Sequence, residues 1–180
     1  MKEKFAPTIV LGALCFVAAL LLAAVNGVTA PQIEAITIAN ANAARAEVMP
    51  EASSFTAIDC DFVEGVTEVY ASDNETGYVI TSASKGFGGN ITVMTAITPD
   101  GTIEAIKVTD ASNETPGLGS KTTLPDHAAK FAGKSAIQMT DKGDAATYVA
   151  PVTGASYSSK GVFNAVSAAL EQFAQLGGAQ

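Results

Sequence analysis

Several hydroxyl side chains stand directly before an apolar helical pattern near the C-terminus of the chain. The stretch "PVTGASYSSKGV" begins at Pro151 and holds Thr153, Ser156, Ser158 and Ser159. Hydroxyl residues in this position usually cap a helix by accepting hydrogen bonds from its first N–H groups. One cap needs only one hydroxyl, however, and a helix N-terminus is also a favourable site for an anion. A phosphate esterified to one of these hydroxyls is therefore an alternative to simple capping, and both interpretations remain open at this point.

Two glycine-rich stretches have residue types that suit a bound ligand. "SKGFGGNI" lies between two strand-like runs, where glycine permits positive φ angles or a close approach of two backbones. "NETPGLGSK" combines the turn residues Thr115-Pro116-Gly117 with a second flexible point at Gly119. Exposed backbone N–H groups in such loops suit a flat or anionic ligand, and Glu114 could accept hydrogen bonds from it. Composition alone favours ordinary surface turns.

Composition excludes several classes of function. The chain has 180 residues and a formal net charge of −8, without a Lys/Arg cluster, which argues against nucleic-acid binding. Cys15 and Cys60 have neither the spacing of metal ligands nor that of a redox pair. His127 is the only histidine, so we predict no metal site and no catalytic triad. We expect His127 to be a helix-start or surface residue.

The N-terminal part predicts one membrane-spanning helix. No charged residue occurs from Phe5 to Ile33, and about 20 mostly apolar residues suffice to cross ~30 Å of hydrocarbon. Lys2 and Lys4 precede the segment, so the positive-inside rule places the N-terminus in the cytoplasm and the remainder outside. A cleaved signal peptide is the alternative, with "VTA" before Pro31 as its cleavage site. The length of the apolar run and the proline after that bond favour a retained anchor.

We divide the chain into residues 1–30 (cytoplasmic N-terminus and transmembrane helix), 31–50 (helical stalk) and 51–180 (one external domain). Pro31 suits the first turn of the stalk helix, and Pro50 closes it. Four runs rich in Val, Ile, Thr and Tyr follow as predicted strands: "GVTEVYAS", "GYVITSAS", "NITVMTAIT" and "TIEAIKVTDAS".

Turns and helices complete the predicted domain. "TPDGT" predicts a hairpin turn between the last two strands, and "LPDHAAKFAG" predicts a short helix that ends at Gly133. Val162, Val166, Leu170 and Phe173 recur at helical spacing in the C-terminal segment. An antiparallel sheet with flanking helices is an α+β fold.

Four stretches in this order and spacing resemble one known family over nearly the whole chain. They are "NGVTAP", "KGFGGNITVMTAITPDGTIEAIKV", "ETPGLGSK" and "TGASYSSKGV". The chain resembles the G subunit of the Rnf ion-translocating electron-transport complex, which is similar to the C subunit of the sodium-pumping NADH:quinone reductase. The resemblance implies an extracytoplasmic FMN-binding domain on a single-pass helix in the bacterial cytoplasmic membrane.

The resemblance also implies how one FMN is held. In the family, the FMN phosphate is joined to the last residue of an [S/T]-G-A-[T/S] motif, which here makes Ser156 the acceptor. A separate flavin transferase attaches the FMN from FAD. The implied cofactor-binding residues are Thr153, Gly154, Ala155 and Ser156 in the motif, Ser158 and Ser159 as caps or phosphate ligands, and Glu114, Thr115, Pro116, Gly117, Leu118 and Gly119 in a loop against the flavin.

The sequence departs from the family pattern at two positions. Serine replaces the usual threonine at Ser156, and either residue supplies the same oxygen. Ala150 stands where the family often has an aspartate, three residues before the motif. The second departure bears on how efficiently the transferase modifies this chain.

As a member of this family, the chain would relay electrons between neighbouring membrane and iron–sulfur subunits of a ferredoxin:NAD oxidoreductase that moves Na⁺ or H⁺. It would have no catalytic residue of its own. The predicted span has no ionisable residue at its centre, so the ion path is expected elsewhere. The alternatives are the C subunit of the quinone reductase, an anchored extracytoplasmic FMN-domain protein that serves another reductase, and a non-redox adhesion or scaffold domain.

Overall fold

A computed structural model describes residues 2–139 and 144–177 of the chain. The chain divides into two compact units, Met1–Asn42 and Ala43–Gln180. Helix α1, Lys2–Val48, begins in the first unit and ends in the second. The second unit also contains the strands β1 (Phe55–Ala57), β2 (Val66–Ser72), β3 (Tyr78–Lys85), β4 (Asn90–Ile97) and β5 (Ile103–Asp110), a 3₁₀ turn (Gly119–Thr123), and the helices α2 (Pro125–Ala128) and α3 (Ser156–Gln175).

The first unit is a helix with exposed apolar side chains along most of its length. Leu11, Phe16 and Leu22 are typical, each more than half exposed. The 47 residues of α1 extend for about 70 Å at 1.5 Å per residue, and its apolar part is long enough to cross a membrane. The helix continues through Pro31, so the expected helix start at that residue is wrong. A proline inside a helix removes one backbone hydrogen bond, a loss that long apolar helices tolerate.

The second unit is an antiparallel meander with its strands in the order β1-β2-β3-β4-β5. The predicted α+β class and the four predicted strands are confirmed, with ends that differ by no more than two residues. The predicted turn at "TPDGT" joins β4 to β5, and Gly101 adopts a φ of 83° there. Sequence reasoning missed β1, because three residues, of which none is fully buried, carry no alternating pattern.

Helix α3 covers one face of the sheet, mainly β3 and β4. Its buried residues Val162, Val166 and Phe173 follow the predicted helical spacing. They pack on buried side chains that alternate along the strands, such as Val93 and Ile80. This packing fixes the start of α3 beside the loop that joins β3 to β4.

The last turns of α1 cover the opposite face of the sheet. Arg45 is 3% exposed; its Cζ lies 3.6 Å from the centroid of the Tyr70 ring, and its Nη2 lies 3.1 Å from Glu68 Oε2. Glu47 pairs with Lys107 of β5 nearer the surface. The second unit therefore begins at Ala43, inside the segment 31–50 that we assigned to the stalk.

The predicted short helix is shorter than its pattern suggested, and its histidine is buried. Helix α2 has four residues, and the following turn ends at Gly133, which has a φ of 76°. His127 lies in the first turn of α2, which agrees with the helix-start expectation, but it is 3% exposed and stacks edge-on against Phe131 at 5.5 Å, so the surface alternative is wrong. Neither ring nitrogen has a hydrogen-bond partner among the described residues. Burial, with a smaller contribution from Lys130, lowers the pKa of His127 to about 4.

Replacement of Arg45 by alanine should destabilise the second unit by about 1–3 kcal/mol, because it removes a cation–π contact, an ion pair and a buried aliphatic stem. Urea unfolding of the full chain in detergent measures the loss. Lys107→Ala breaks an ion pair between more exposed side chains and should cost less than about 0.5 kcal/mol. Equal losses in the two variants would contradict a packing role for Arg45.

The buried His127 should make the protein less stable in mild acid. Its pKa is about 4 in the folded chain against an ordinary 6.5, so the unfolded chain binds more protons between these pH values. Stability should fall as the pH drops through 6.5 towards 4, by about 2 kcal/mol between pH 7 and pH 5. His127→Leu should lose that part of the pH dependence, as unfolding free energies measured at both pH values would show. An unchanged dependence would mean that His127 is not the cause.

Candidate functional site: a cavity between three loops

Three loops far apart in the sequence meet at one end of the sheet. The β3–β4 hairpin holds full register to its last pair, Lys85 and Asn90, and so presents its loop at the edge. Helix α3 approaches that loop closely, since a Cβ on Gly161 would lie 3.1 Å from Gly86 Cα. The loop that follows β5 lies against the same β3–β4 loop, since a Cβ on Gly88 would collide with Asn113. The Gly-rich loop (residues 86–89), the Pro-Gly loop (residues 113–119) and the start of α3 (residues 153–159) are therefore neighbours.

The buried carboxyl group of Glu114 connects all three loops. Glu114 is 4% exposed. Its Oε1 accepts a hydrogen bond from the backbone N–H of Gly88 at 3.0 Å, and its Oε2 accepts one from Ser158 Oγ at 2.5 Å. Sequence reasoning expected Glu114 to contact a ligand or solvent; the structure directs its carboxyl group to protein donors instead.

Glycine at two flanking positions leaves room for this carboxyl group in its observed position. A Cβ on Gly86 would lie 2.4 Å from Glu114 Oε1, and a Cβ on Gly119 would lie 2.4 Å from Glu114 Oε2. Both distances are far below van der Waals contact. The space that the Glu114 carboxyl group occupies therefore accounts for one glycine in each of the two predicted ligand loops.

The N-terminus of α3 has no side-chain cap. Ala155 is the N-cap residue, and no side chain in the described part of the chain accepts a hydrogen bond from the first N–H groups. The expectation that Ser158 or Ser159 caps the helix is wrong, because α3 begins at Ser156 and both serines lie within its first turn, with their hydroxyls bonded to other groups. Ser158 donates to Glu114, and Ser159 Oγ accepts the N–H of Val152 at 2.9 Å. The first turn therefore keeps N–H groups without intrahelical partners and can receive an anion there.

A cavity of about 340 Å³ opens between the three loops. Ser156, the first residue of α3, is exposed at its wall. The predicted site residues that line the cavity are Thr115, Leu118, Gly119, Gly154, Ala155, Ser156 and Ser158. Those that do not line it are Thr153, Ser159, Glu114, Pro116 and Gly117.

Two lining residues, Phe87 and Tyr157, were missed by sequence reasoning. Each is 70% exposed, and their ring centroids lie 6.4 Å apart. Both stand inside stretches singled out for their glycines or hydroxyls, and the placement of an aromatic residue within such a stretch was the available signal.

The cavity wall is mainly apolar and contains no charged side chain among the residues that the structure describes. No group of His, Cys, Asp and Glu suitable for a metal ion occurs in the same described part of the chain. Recognition in this cavity must therefore come from flat apolar surfaces, hydroxyl groups and the N–H groups of α3.

Comparison with known proteins shows which protein family this chain belongs to. Residues 86–171, which include all three loops, match the family model described as an FMN-binding domain. The chain is 32% identical to the G subunit of the Na⁺-translocating ferredoxin:NAD⁺ oxidoreductase complex of Acetobacterium woodii, over 97% of this chain and 94% of the relative. It is also 32% identical to the G subunit of the proton-translocating complex of Clostridium ljungdahlii, over 88% of this chain and 85% of the relative.

The chain belongs to the G-subunit family of ion-translocating ferredoxin:NAD⁺ oxidoreductase complexes. Solved structures give a partial likeness. The C subunit of the Na⁺-translocating NADH-quinone reductase of Parabacteroides distasonis has a TM-score of 0.45 and 26% identity, over 57% of this chain and 59% of that chain. The family assignment rests on the sequence relatives.

The residues present fit the FMN that the family model implies. The uncapped start of α3 suits a phosphate, and the apolar wall suits a flat ring. Gly154 adds room beside Leu118, because a Cβ there would lie 3.1 Å from Leu118 Cδ1. The cavity therefore has the features that a phosphate and a flat ring require.

Loss of the Glu114 carboxyl group should separate the three loops. Glu114→Ala leaves the buried Ser158 hydroxyl unpaired, at a cost of about 1–3 kcal/mol, and also removes the acceptor of the more exposed Gly88 N–H. Glu114→Gln can still accept from Gly88 and bond to Ser158, so it should retain most of the stability. Thermal unfolding and flavin content of the purified full chain measure both effects.

Glu171→Ala provides the matched control, since Glu171 is an exposed carboxylate on α3 away from the cavity. It should leave both the melting temperature and the flavin content unchanged. A Glu114→Ala variant as stable and as flavin-rich as this control would contradict the connecting role of Glu114.

Proposed function

We propose that this chain is the electron-transfer G subunit of a membrane-bound, ion-translocating ferredoxin:NAD⁺ oxidoreductase complex, with one FMN joined covalently to Ser156. The observation that carries the proposal is the position of Ser156. It is an exposed hydroxyl residue at the uncapped start of a 20-residue helix, and it lines the apolar cavity. The 32% identity to G-subunit relatives over most of their length supports the same function.

A bound flavin supplies one- and two-electron redox chemistry. The chain itself holds and orients the cofactor. The N–H groups and the dipole of α3 would stabilise the phosphate charge, while Leu118, Phe87 and Tyr157 would exclude water from the ring. No acid or base lines the cavity in the described part of the chain.

A second protein would attach the FMN to Ser156. We propose a flavin transferase that uses FAD. The Ser156 oxygen forms a bond to the FMN phosphorus, the bond from that phosphorus to AMP breaks, and the hydroxyl proton leaves with the departing AMP. Ala150, which replaces a common aspartate, contributes only its carbonyl oxygen, to the Nζ of Lys130 at 3.2 Å.

We propose further that α1 anchors the protein with its N-terminus in the cytoplasm and the flavin domain on the outer side. Lys2 and Lys4 before the apolar run support this orientation. Neighbouring membrane and iron–sulfur subunits would exchange electrons with the flavin. The two relatives described above are named for Na⁺ and for protons, so membership in the family is compatible with either ion.

Mass spectrometry of the denatured full chain, expressed together with a flavin transferase, tests the covalent proposal. The wild-type chain should gain the mass of one FMN minus one water and should fluoresce on a denaturing gel. Ser156→Ala should lose both signals, because the acceptor oxygen is gone. Ser53→Ala is the matched control, since Ser53 is an exposed hydroxyl residue outside the motif and the cavity lining, and it should keep the label.

Persistence of the label in Ser156→Ala would contradict the assignment of the acceptor. Loss of the label in Ser158→Ala alone would move the acceptor to that residue. A wild-type chain that stays unlabelled with an active transferase would contradict covalent attachment altogether, while co-purification with the other subunits would still test membership in the complex.

A further inference from the structure

We infer that Phe87 and Tyr157 form an aromatic wall that holds the isoalloxazine ring by stacking, without help from the phosphoester. The inference rests on the proposed function in one respect, namely that the ligand of the cavity is FMN. It adds a second, separable attachment: the phosphate end is held at Ser156, and the ring end is held by the two aromatic side chains.

The first argument is where the exposed apolar side chains of the domain lie. Five large hydrophobic side chains are exposed in the described part of the second unit: Phe62, Phe87, Leu118, Leu124 and Tyr157. Three of them, Phe87, Leu118 and Tyr157, line the same cavity. Phe87 and Tyr157 are each 70% exposed, more than the other three. Apolar surface gathered around one concavity indicates a binding site rather than scattered exposure.

The second argument is that the backbone holds Phe87 in its exposed position. The neighbouring Gly86 is buried, and its N–H donates to the carbonyl of Gly89 at 2.8 Å. On the other side, the N–H of Gly88 donates to Glu114. A Cβ on Gly88 would lie 1.8 Å from the carbonyl oxygen of Asn113, so the loop backbone is pressed against the Pro-Gly loop. The aromatic ring is therefore displayed from a fixed loop.

Tyr157 is held in the same way by its neighbours on α3. Ser158 and Ser159 follow it in the first turn, both are 2% exposed, and both hydroxyls are bonded inside the protein. The helix therefore cannot rotate Tyr157 inwards without breaking the bond between Ser158 and Glu114. The same carboxyl group thus fixes both aromatic residues, one through Gly88 and one through Ser158.

The third argument is the geometry of the two rings. Their centroids lie 6.4 Å apart and their planes are inclined by 59°. The two rings are therefore not stacked in parallel on each other, and a flat ligand can meet the face of one ring and the edge of the other, both favourable arrangements for aromatic groups. No charged side chain lines the cavity in the described part of the chain, so ring contacts and apolar burial must supply the affinity.

The position of Ser156 favours a flavin ring over a protein partner as the occupant. Ser156 directly precedes Tyr157, and both line the cavity, so a ligand tethered at Ser156 begins beside the aromatic wall. Leu118 and Gly119 come from the Pro-Gly loop and add an apolar side chain and open space to the same cavity. A concavity of about 340 Å³ suits a small flat ligand better than a flat protein surface.

The test measures binding of the flavin ring in the absence of the phosphate. The full chain carrying Ser156→Ala, purified in detergent, is titrated with lumiflavin, which has the isoalloxazine ring but neither ribityl chain nor phosphate. Binding is followed by the quenching of lumiflavin fluorescence. Lumiflavin should bind, and the added change Phe87→Ala or Tyr157→Ala should weaken binding by about three- to tenfold, as loss of one aromatic contact implies. Phe87→Tyr and Tyr157→Phe should retain binding.

Phe62→Ala is the matched control, because Phe62 is an exposed aromatic residue that does not line this cavity. It should leave lumiflavin binding unchanged. In the flavin-loaded chain, Tyr157→Ala should also lengthen the fluorescence lifetime of the attached flavin, since an aromatic ring in contact with a flavin quenches it.

The inference is overturned if lumiflavin fails to bind, or if Phe87→Ala and Tyr157→Ala behave like Phe62→Ala. Loss of partner subunits in these variants with unchanged lumiflavin binding would identify the wall as a protein-docking surface instead. Failure of the covalent proposal has a different signature. The wild-type chain would then carry no FMN mass, while lumiflavin binding would still depend on Phe87 and Tyr157.

Discussion

The hydrogen bonds of one buried carboxyl group hold the candidate site of this protein together. Glu114 accepts from Gly88 on the β3–β4 loop and from Ser158 on α3, and it belongs to the third loop itself. Glu114 and Ser158 are both buried, so loss of either partner would leave the other with a desolvation cost. A side chain at position 86 or 119 would displace the carboxyl oxygens from their present positions. The side chains of Phe87 and Tyr157, which adjoin Gly88 and Ser158 in the sequence, then face the cavity.

The same connection explains why the start of α3 suits a phosphate. A helix that begins after several hydroxyl residues would normally be capped by one of them. Here the hydroxyls of Ser158 and Ser159 bond elsewhere, and Ala155 occupies the N-cap position. The free N–H groups and the helix dipole remain available next to the exposed Ser156. Capping and anion binding compete for the same N–H groups, and in this protein an alanine at the N-cap position leaves those groups without a side-chain cap in the described part of the chain.

The sheet ties this site to the rest of the second unit. Helix α3 packs on one face of β3 and β4, and Arg45 near the end of α1 packs on Tyr70 and Glu68 at the opposite face. A redox cofactor that exchanges electrons with fixed neighbours needs a fixed position, and a domain packed on both faces of its sheet provides one. The apolar part of α1 is long enough to cross a membrane, and the chain belongs to a family of membrane-complex subunits.

Much of this protein could be predicted from local sequence signals. The strands β2 to β5 and the helix α3 follow patterns of two and 3.6 residues, and "TPDGT" forms the turn that its residues favour. The order and spacing of the glycine- and hydroxyl-rich motifs also led to the family. Local signals failed where contacts between distant residues outweigh them. α1 continues through Pro31, His127 is buried against Phe131, and the short strand β1 exists through its pairing with β2.

The difference between what the sequence and what the tertiary structure determines is clearest at the candidate site. The sequence alone determined which loops have suitable chemistry, because residue type and spacing are local properties. Only the tertiary structure decided what each side chain does there. It directed Glu114 and Ser158 towards each other, left Ser156 exposed, and brought Phe87 beside Tyr157, although these two residues lie on separate elements of the chain. Hydrogen bonds and ring contacts between distant residues depend on how α3 packs on the sheet, and no local pattern encodes that packing.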